Sequence, residues 1–245
     1  MFNRTISFVS ISVAIALLSG CGGGGGSNGP VISTDLFPMA QAYAVQAVAG
    51  RNSNFIATQG GMTFCSGSGN ITDAPATTST KFNITPTSSV PAVSAAETLT
   101  VNWTNCIPPS TTVPVTLYYT PTTFVPLGMI VTPSSPGGNN YGAYLTAATI
   151  PATVTVGASG VIGTENLYTD KTETTSSGRI DGSYVVTADT ASTAIITLIG
   201  NQYDATSTLT LTKQDAWRIT ATGGLTPITT NIQLTNGNDI VFTYY

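Results

Sequence analysis

Glu165, Asp170, Glu173 and Asp181 are the densest group of titratable side chains in the sequence, and their types and spacing define the chemistry open to it. Two suitably placed carboxylates are enough to hydrolyse a glycoside, one acting as acid and the other as base or nucleophile. The same four residues could hold calcium weakly through oxygen, or serve only as solvated charges on strand ends and loops. Other catalytic schemes are excluded by composition. The chain contains no histidine, which removes Ser-His-Asp and Cys-His catalysis, the HExxH zinc helix and every imidazole ligand. A serine–lysine dyad needs SxxK, but Thr78, Tyr168 and Thr210 stand three residues before Lys81, Lys171 and Lys213. Ser66-Gly67-Ser68-Gly69 lacks the flanking glycines of a GxSxG elbow and is expected to form a turn after Cys65. No phosphate-binding loop, dinucleotide fingerprint or EF-hand is present, so no cofactor and no dedicated metal site are expected.

Cys65 and Cys106 are separated by too much chain for a CxxC redox motif and have no histidine to activate a thiolate. In an exported domain such a pair is expected to form a disulfide. The bond would close a loop of about 42 residues, which chain entropy values at roughly 4 kcal/mol. The aromatic residues Trp103, Tyr118, Tyr119, Tyr141, Tyr144 and Trp217 either fill a core or form a stacking surface for a sugar or peptide. Of these, Trp103, Tyr118, Tyr119 and Trp217 are the candidate ligand-binding residues. Only 7% of residues are charged, and the 7 lysines and arginines are scattered. Nucleic acid is therefore not an expected partner, because phosphate binding needs clustered positive charge.

The elements that must position these groups are mostly strands. Residues 33–50 carry the one long helical pattern, with Ser33 or Thr34 able to cap it, Asp35 in its first turn and Gly50 able to end it. From Asn54 onward the chain is rich in Thr, Val, Ile and Tyr, punctuated by Gly, Pro and Asn. Residues 73–95 and 107–140 hold most of the prolines and read as loops, edge strands and extended segments. Strands are expected at 98–106, 112–120, 161–168, 179–188, 193–203, 206–213, 217–222, 228–235 and 239–245. Asn236-Gly237 predicts a type I′ hairpin turn, which requires positive φ at both central residues. The expected fold is mostly β, an antiparallel meander arranged as an open sheet, a sandwich or a partly open barrel, with one N-terminal helix. A membrane-spanning barrel is disfavoured because the expected strands are short against the roughly 10 residues a span requires.

Ahead of this domain, Arg4 is followed by an apolar run at 6–18 and then by Leu18-Ser19-Gly20-Cys21. The run is too short for the roughly 20 residues of a membrane-spanning helix and has the layout of a secretory signal. Residues 1–27 resemble the signal peptides of bacterial lipoproteins, and the four lipobox residues carry the resemblance. It implies diacylglyceryl transfer to the Cys21 thiol, cleavage before it, and anchoring through acyl chains at roughly 0.8 kcal/mol per buried methylene. Residues 1–20 are then the leader, 21–30 the acylated cysteine and a Gly-rich tether, and 31–245 a single β-rich domain with a possible subdivision near 157–160. Loss of the leader removes Arg4 and leaves 6 basic against 11 acidic residues, a net charge of −5. Gly22, where an Asp would signal inner-membrane retention, implies anchoring at the outer membrane of a Gram-negative envelope. The C-terminal part resembles uncharacterised exported proteins of such bacteria, and nothing functional is carried over from that likeness. The expected function is a non-enzymatic, lipid-anchored envelope module that binds a protein or glycan or takes part in envelope or surface assembly. The alternative is a histidine-free, carboxylate-dependent enzyme acting on polysaccharide.

Overall fold

The computed structural model of the protein describes residues 32–61, 64–104, 106, 108–132 and 140–245. The lipobox, Cys21 and the glycine tether lie outside the described residues. The one helix among the described residues, α1 (Met39–Ala49), begins later than the expected residue 33. Pro38 sets the boundary, since the residue before a proline is kept out of the helical region. Ser33 makes a local turn instead, its Oγ accepting from the Asp35 amide. Phe37 exchanges two backbone hydrogen bonds with Val154, each 2.9 Å. The helix ends at Gly50, whose amide donates to the Gln46 carbonyl.

Thirteen strands follow: β1 (Arg51–Gly60), β2 (Cys65–Asp73), β3 (Thr78–Thr85), β4 (Ser88–Thr104), β5 (Ser110–Tyr119), β6 (Pro126–Val131) and β7 (Tyr141–Ala143), then β8 (Ser159–Tyr168), β9 (Ser176–Ala188), β10 (Thr193–Asp204), β11 (Leu209–Thr220), β12 (Leu225–Leu234) and β13 (Asp239–Tyr244). Each of β4 to β12 pairs antiparallel with the next, β13 returns to β1, and β1 pairs β2. The far half of β4 then pairs β2, so twelve strands close into an antiparallel barrel. The ring is closed, which replaces the expected open sheet, sandwich or partly open barrel. β3 stands outside it, paired with the near half of β4. There Phe82 packs on Tyr118 of β5 and Tyr141 of β7, with ring centroids 4.6 and 5.3 Å apart.

The proline-rich segments are more regular than expected. Pro91 and Pro114 sit within β4 and β5, while Pro126 and Pro227 fall at register shifts, the places in a ladder where a missing donor is tolerated. Ser66-Gly67-Ser68-Gly69 is part of β2 and not a turn. A side chain at Gly69 would meet the Phe55 ring within 2.6 Å, so the glycine gives that fully buried ring its place. The β12–β13 turn is also different from the expected type I′. Gly237 has φ +82° while Asn236 is not positive, and the Asn236 side chain accepts from the Asn238 amide at 2.9 Å.

The two strands expected at 206–213 and 217–222 are one, β11, of 12 residues. The polar run Lys213-Gln214-Asp215-Ala216 looks like a turn in sequence, yet it continues the ladder with alternate side chains on opposite faces. Lys213, Asp215 and Trp217 face the lumen. Thr212 on the other face bonds Asn201, and Arg218 pairs with Asp189 at 2.6 Å. Most strands of the ring reach 10 residues or more, but β2, β6, β7 and β13 have 9, 6, 3 and 6, so the expectation of short strands holds for part of the ring only. On β2 and β4 the large apolar side chains Ile71, Leu99, Val101 and Trp103 point inward, whereas Ser66, Ser68, Asn70, Thr72, Thr98, Thr100 and Asn102 occupy the outward positions; elsewhere Ile56 of β1 and Val161 of β8 are exposed. A lipid-facing wall has the arrangement opposite to that of β2 and β4.

A ring of about eight strands fills with its own side chains, and a larger one encloses space. Here α1 and the 144–156 segment close one end, through a core that includes Phe37, Met39, Ala42, Ile196 and Ile219. Phe55, Ile71, Val101 and Phe242 fill the lumen toward the other end. Full burial of such side chains contributes roughly 1.5–3 kcal/mol each.

Candidate functional site in the barrel lumen

The space left inside the barrel runs from an apolar mouth through a charged belt to an aromatic chamber beneath α1. The mouth, about 680 Å³, lies at the end where β1 finishes and is lined by Leu99, Val101, Trp103, Ile232, Ile240 and Phe242, with Gln59, Cys106, Pro108 and Thr111 at its edge. Cys65 and Cys106 form the disulfide beside it, with Cα atoms 5.8 Å apart. Below, Phe55 packs on Phe242 at 4.6 Å and meets Tyr244 edge-on at 5.7 Å.

The belt is built by alternation. Arg51, the first residue after the helix cap, faces inward, as do its neighbours across the ladder, Asp73 at the end of β2 and Glu97 in β4. Arg51 Nε lies 2.8 Å from Asp73 and its Nη2 3.1 Å from Glu97, and the guanidinium sits 5.2 Å from the Trp217 ring centroid. Burial opposes the Arg51 charge, but Asp73 and Glu97 outweigh it and hold its pKa above the ordinary value. Glu97 is pushed up to about 7 by burial and by Asp73, with Lys213 and Arg51 pulling the other way. Lys213 lies 3.0 Å from Asp215, and that partner raises its pKa against the cost of burial. The wall surrounds Lys213, yet 51% of its side chain stays open to the lumen. Asp215 also accepts from Thr230, which contacts the Tyr244 hydroxyl.

The chamber, about 250 Å³, is bounded by Tyr43, Gln46 and Ala47 of α1 and by Tyr119, Phe124, Tyr144, Leu198 and Trp217. Leu99, Ile232 and Phe242 line both mouth and belt, and Arg51, Glu97 and Leu198 line both belt and chamber. The Tyr43 hydroxyl is buried without a hydrogen-bond partner, and desolvation raises its pKa. A side pocket of about 160 Å³ opens between Tyr119, Tyr144 and Glu165. Burial alone pushes the Glu165 carboxyl up to about 7.

The four acidic residues singled out in the sequence are distributed over different surfaces. Glu165 faces the interior. Asp181 lies on the outer wall, accepting from Thr164 at 2.8 Å and pairing with Arg179 at 3.1 Å. Asp170 is occupied in the β8–β9 loop by the Thr172 amide and hydroxyl. Glu173, in the same loop, is buried near Tyr141 and Tyr168. Among the described residues no three acidic or cysteine side chains are grouped to hold a metal ion. The two carboxylates that do meet, Asp73 and Glu97, share one guanidinium, which takes the place a glycoside would need between an acid and a base.

Of the four candidate aromatic residues, Trp103 lines the mouth, and Tyr119 and Trp217 line the chamber. Tyr118, next along the strand from Tyr119, has its ring against Phe82 of β3 and also lines the side pocket with Tyr119, Tyr144 and Glu165. Sequence reading missed Tyr43, Arg51, Asp73, Glu97, Lys213 and Asp215. The one available signal was charge at the inward phase of an alternating strand, as at Lys213 and Asp215 within Leu211 to Ile219. No known protein family, curated protein or solved structure matches this chain.

Proposed function

We propose that the chain is a lipid-anchored, non-enzymatic envelope protein whose barrel binds a small, largely apolar ligand in its lumen. The observation that carries this reading is the mouth: about 680 Å³ walled by Leu99, Val101, Trp103, Ile232, Ile240 and Phe242. Ligand sites of this kind are concave and apolar, with a few polar groups at defined places, and the belt beneath supplies such groups. The polar outward faces of β2 and β4 support a barrel held in water by a tether, with Cys21 as the lipidated residue and the outer membrane as its location. The dispersal of the carboxylates supports a binding role over the carboxylate-dependent enzyme.

Both tryptophans of the chain, Trp103 and Trp217, line the lumen, so intrinsic fluorescence reports on the site directly. Titration with N-phenyl-1-naphthylamine is expected to give saturable energy transfer from tryptophan, abolished by Leu99→Asp. Absence of saturable transfer at a soluble probe concentration refutes the lumen site. Anchoring is tested separately: Cys21→Ala is expected to release the protein from the membrane fraction, and unchanged association refutes the lipid anchor.

A further inference from the structure

Glu165 is 8% exposed, its carboxylate has no hydrogen bond or ion pair among the described residues, and it opens onto a cavity. Buried charges are ordinarily paired, because removal from water without a partner is expensive. The fold nevertheless makes room for this one. A Cβ at Gly142, on the adjoining strand, would stand 2.3 Å from Glu165 Oε1, so the absent side chain is what accommodates the carboxylate. The side pocket in front of it shares Leu117, Tyr119, Pro126 and Tyr144 with the chamber, so the two spaces adjoin.

Two features of that space define the occupant. Its aromatic residues, Tyr119, Phe124, Tyr144 and Trp217, offer the π faces that attract ammonium groups. Its positive charges are already engaged, Arg51 by Asp73 and Glu97, and Lys213 by Asp215. Four carboxylates therefore meet two cations along chamber, side pocket and belt, and the excess favours a positive ligand and disfavours an anion. We propose that the chamber binds a small organic amine in its protonated form, with the ammonium on Glu165, the apolar body among Tyr119, Tyr144 and Trp217, and the Tyr43 hydroxyl available to a second polar atom. This inference rests on the lumen being a ligand site and adds the ligand class and the residue that selects it.

Three probes of one shape and different charge test it: phenethylamine, phenethyl alcohol and 3-phenylpropionate. They are titrated calorimetrically at pH 7.5 into the full chain and into Glu165→Gln, a near-isosteric change whose fold is checked by circular dichroism. Phenethylamine is expected to bind wild type at least tenfold more tightly than the alcohol and to lose that advantage in Glu165→Gln, while alcohol binding is unchanged. The wild-type series alone can overturn the proposal, if the alcohol or the carboxylate binds as tightly as the amine. An amine affinity unaltered by Glu165→Gln overturns it equally. If none of the three binds while N-phenyl-1-naphthylamine does, the amine site is refuted and the lumen reading stands. If the naphthylamine also fails, both are refuted.

Discussion

The two ends of the lumen are built from different materials. The mouth is aliphatic and aromatic, closed in by hydrogen-bonded wall and held at its rim by the Cys65–Cys106 bond. The chamber end is covered by a helix and holds most of the buried charge, with Arg51 between Asp73 and Glu97, and Glu165 nearby without a cation. An apolar wall loses little stability when a ligand leaves it. A buried charge depends on its partner at all times. The chamber end is therefore where single substitutions should cost most, and the mouth end is where they should be tolerated.

The largest expected effect is at the belt. Arg51→Leu leaves Asp73 and Glu97 facing each other without their shared cation, and should destabilise the protein by about 3–5 kcal/mol in urea denaturation. A loss below about 1 kcal/mol would remove the proposed difference between the ends. At the mouth, Cys65→Ala combined with Cys106→Ala should cost about 2–4 kcal/mol, the value for a bond joining cysteines 41 residues apart. The same change should leave Trp217 fluorescence unaltered while shifting that of Trp103.

Glu165 gives a pH-dependent test of the chamber end. Its folded pKa, about 7, is above the unfolded value of 4.5, so the folded state holds the proton more tightly. The stability it contributes is complete below pH 4.5, declines as pH rises through 7, and is gone above that. Glu97 acts in the same window and in the same direction, with Tyr144 the ionisable neighbour on which the Glu165 charge acts. Asp170, Asp189 and Asp204, held low by hydrogen bonds, act only at more acid pH. Glu165→Gln should thus gain roughly 1–3 kcal/mol over wild type at pH 8 and flatten the slope between pH 4.5 and 7. An unchanged slope would mean that the carboxyl is solvated after all. The smallest effect belongs to the mouth rim: Gly237→Ala, at φ +82°, should cost about 1 kcal/mol in thermal or urea unfolding.

The legibility of the sequence differed between the halves of the chain for a physical reason. β8 to β13 are joined by short turns and alternate cleanly, so most of their expected spans lie close to the observed ones. The exception, the division of β11 at Lys213 to Ala216, arose because charges that face a lumen look the same in sequence as charges that face solvent. In the first half, β3, β6 and the near half of β4 lie in segments where prolines suggested loops, edge strands or extended segments without defined bounds. Their prolines are accommodated by bulges and paired edges that depend on neighbouring strands. Among the site residues, the aromatic candidates were selected by type alone. Tyr119 and Trp217 share a chamber, while Tyr118, beside the register shift at Tyr119, packs on Phe82 and reaches only the side pocket.

By itself the sequence determined the predominance of strands, the single helix ending at Gly50, the cysteine pair and the absence of histidine chemistry. All of these are fixed by residue type, local period or count. The tertiary structure alone decided that β1 meets β13 and β2 meets β4, and those pairings turn a meander into a closed barrel. Closure in turn decides which face of each strand is inside. It brings Arg51, Asp73, Glu97 and Lys213, from four strands, into one belt, and places Glu165 in a cavity with no cation. Such meetings depend on register across long separations, which no local pattern encodes.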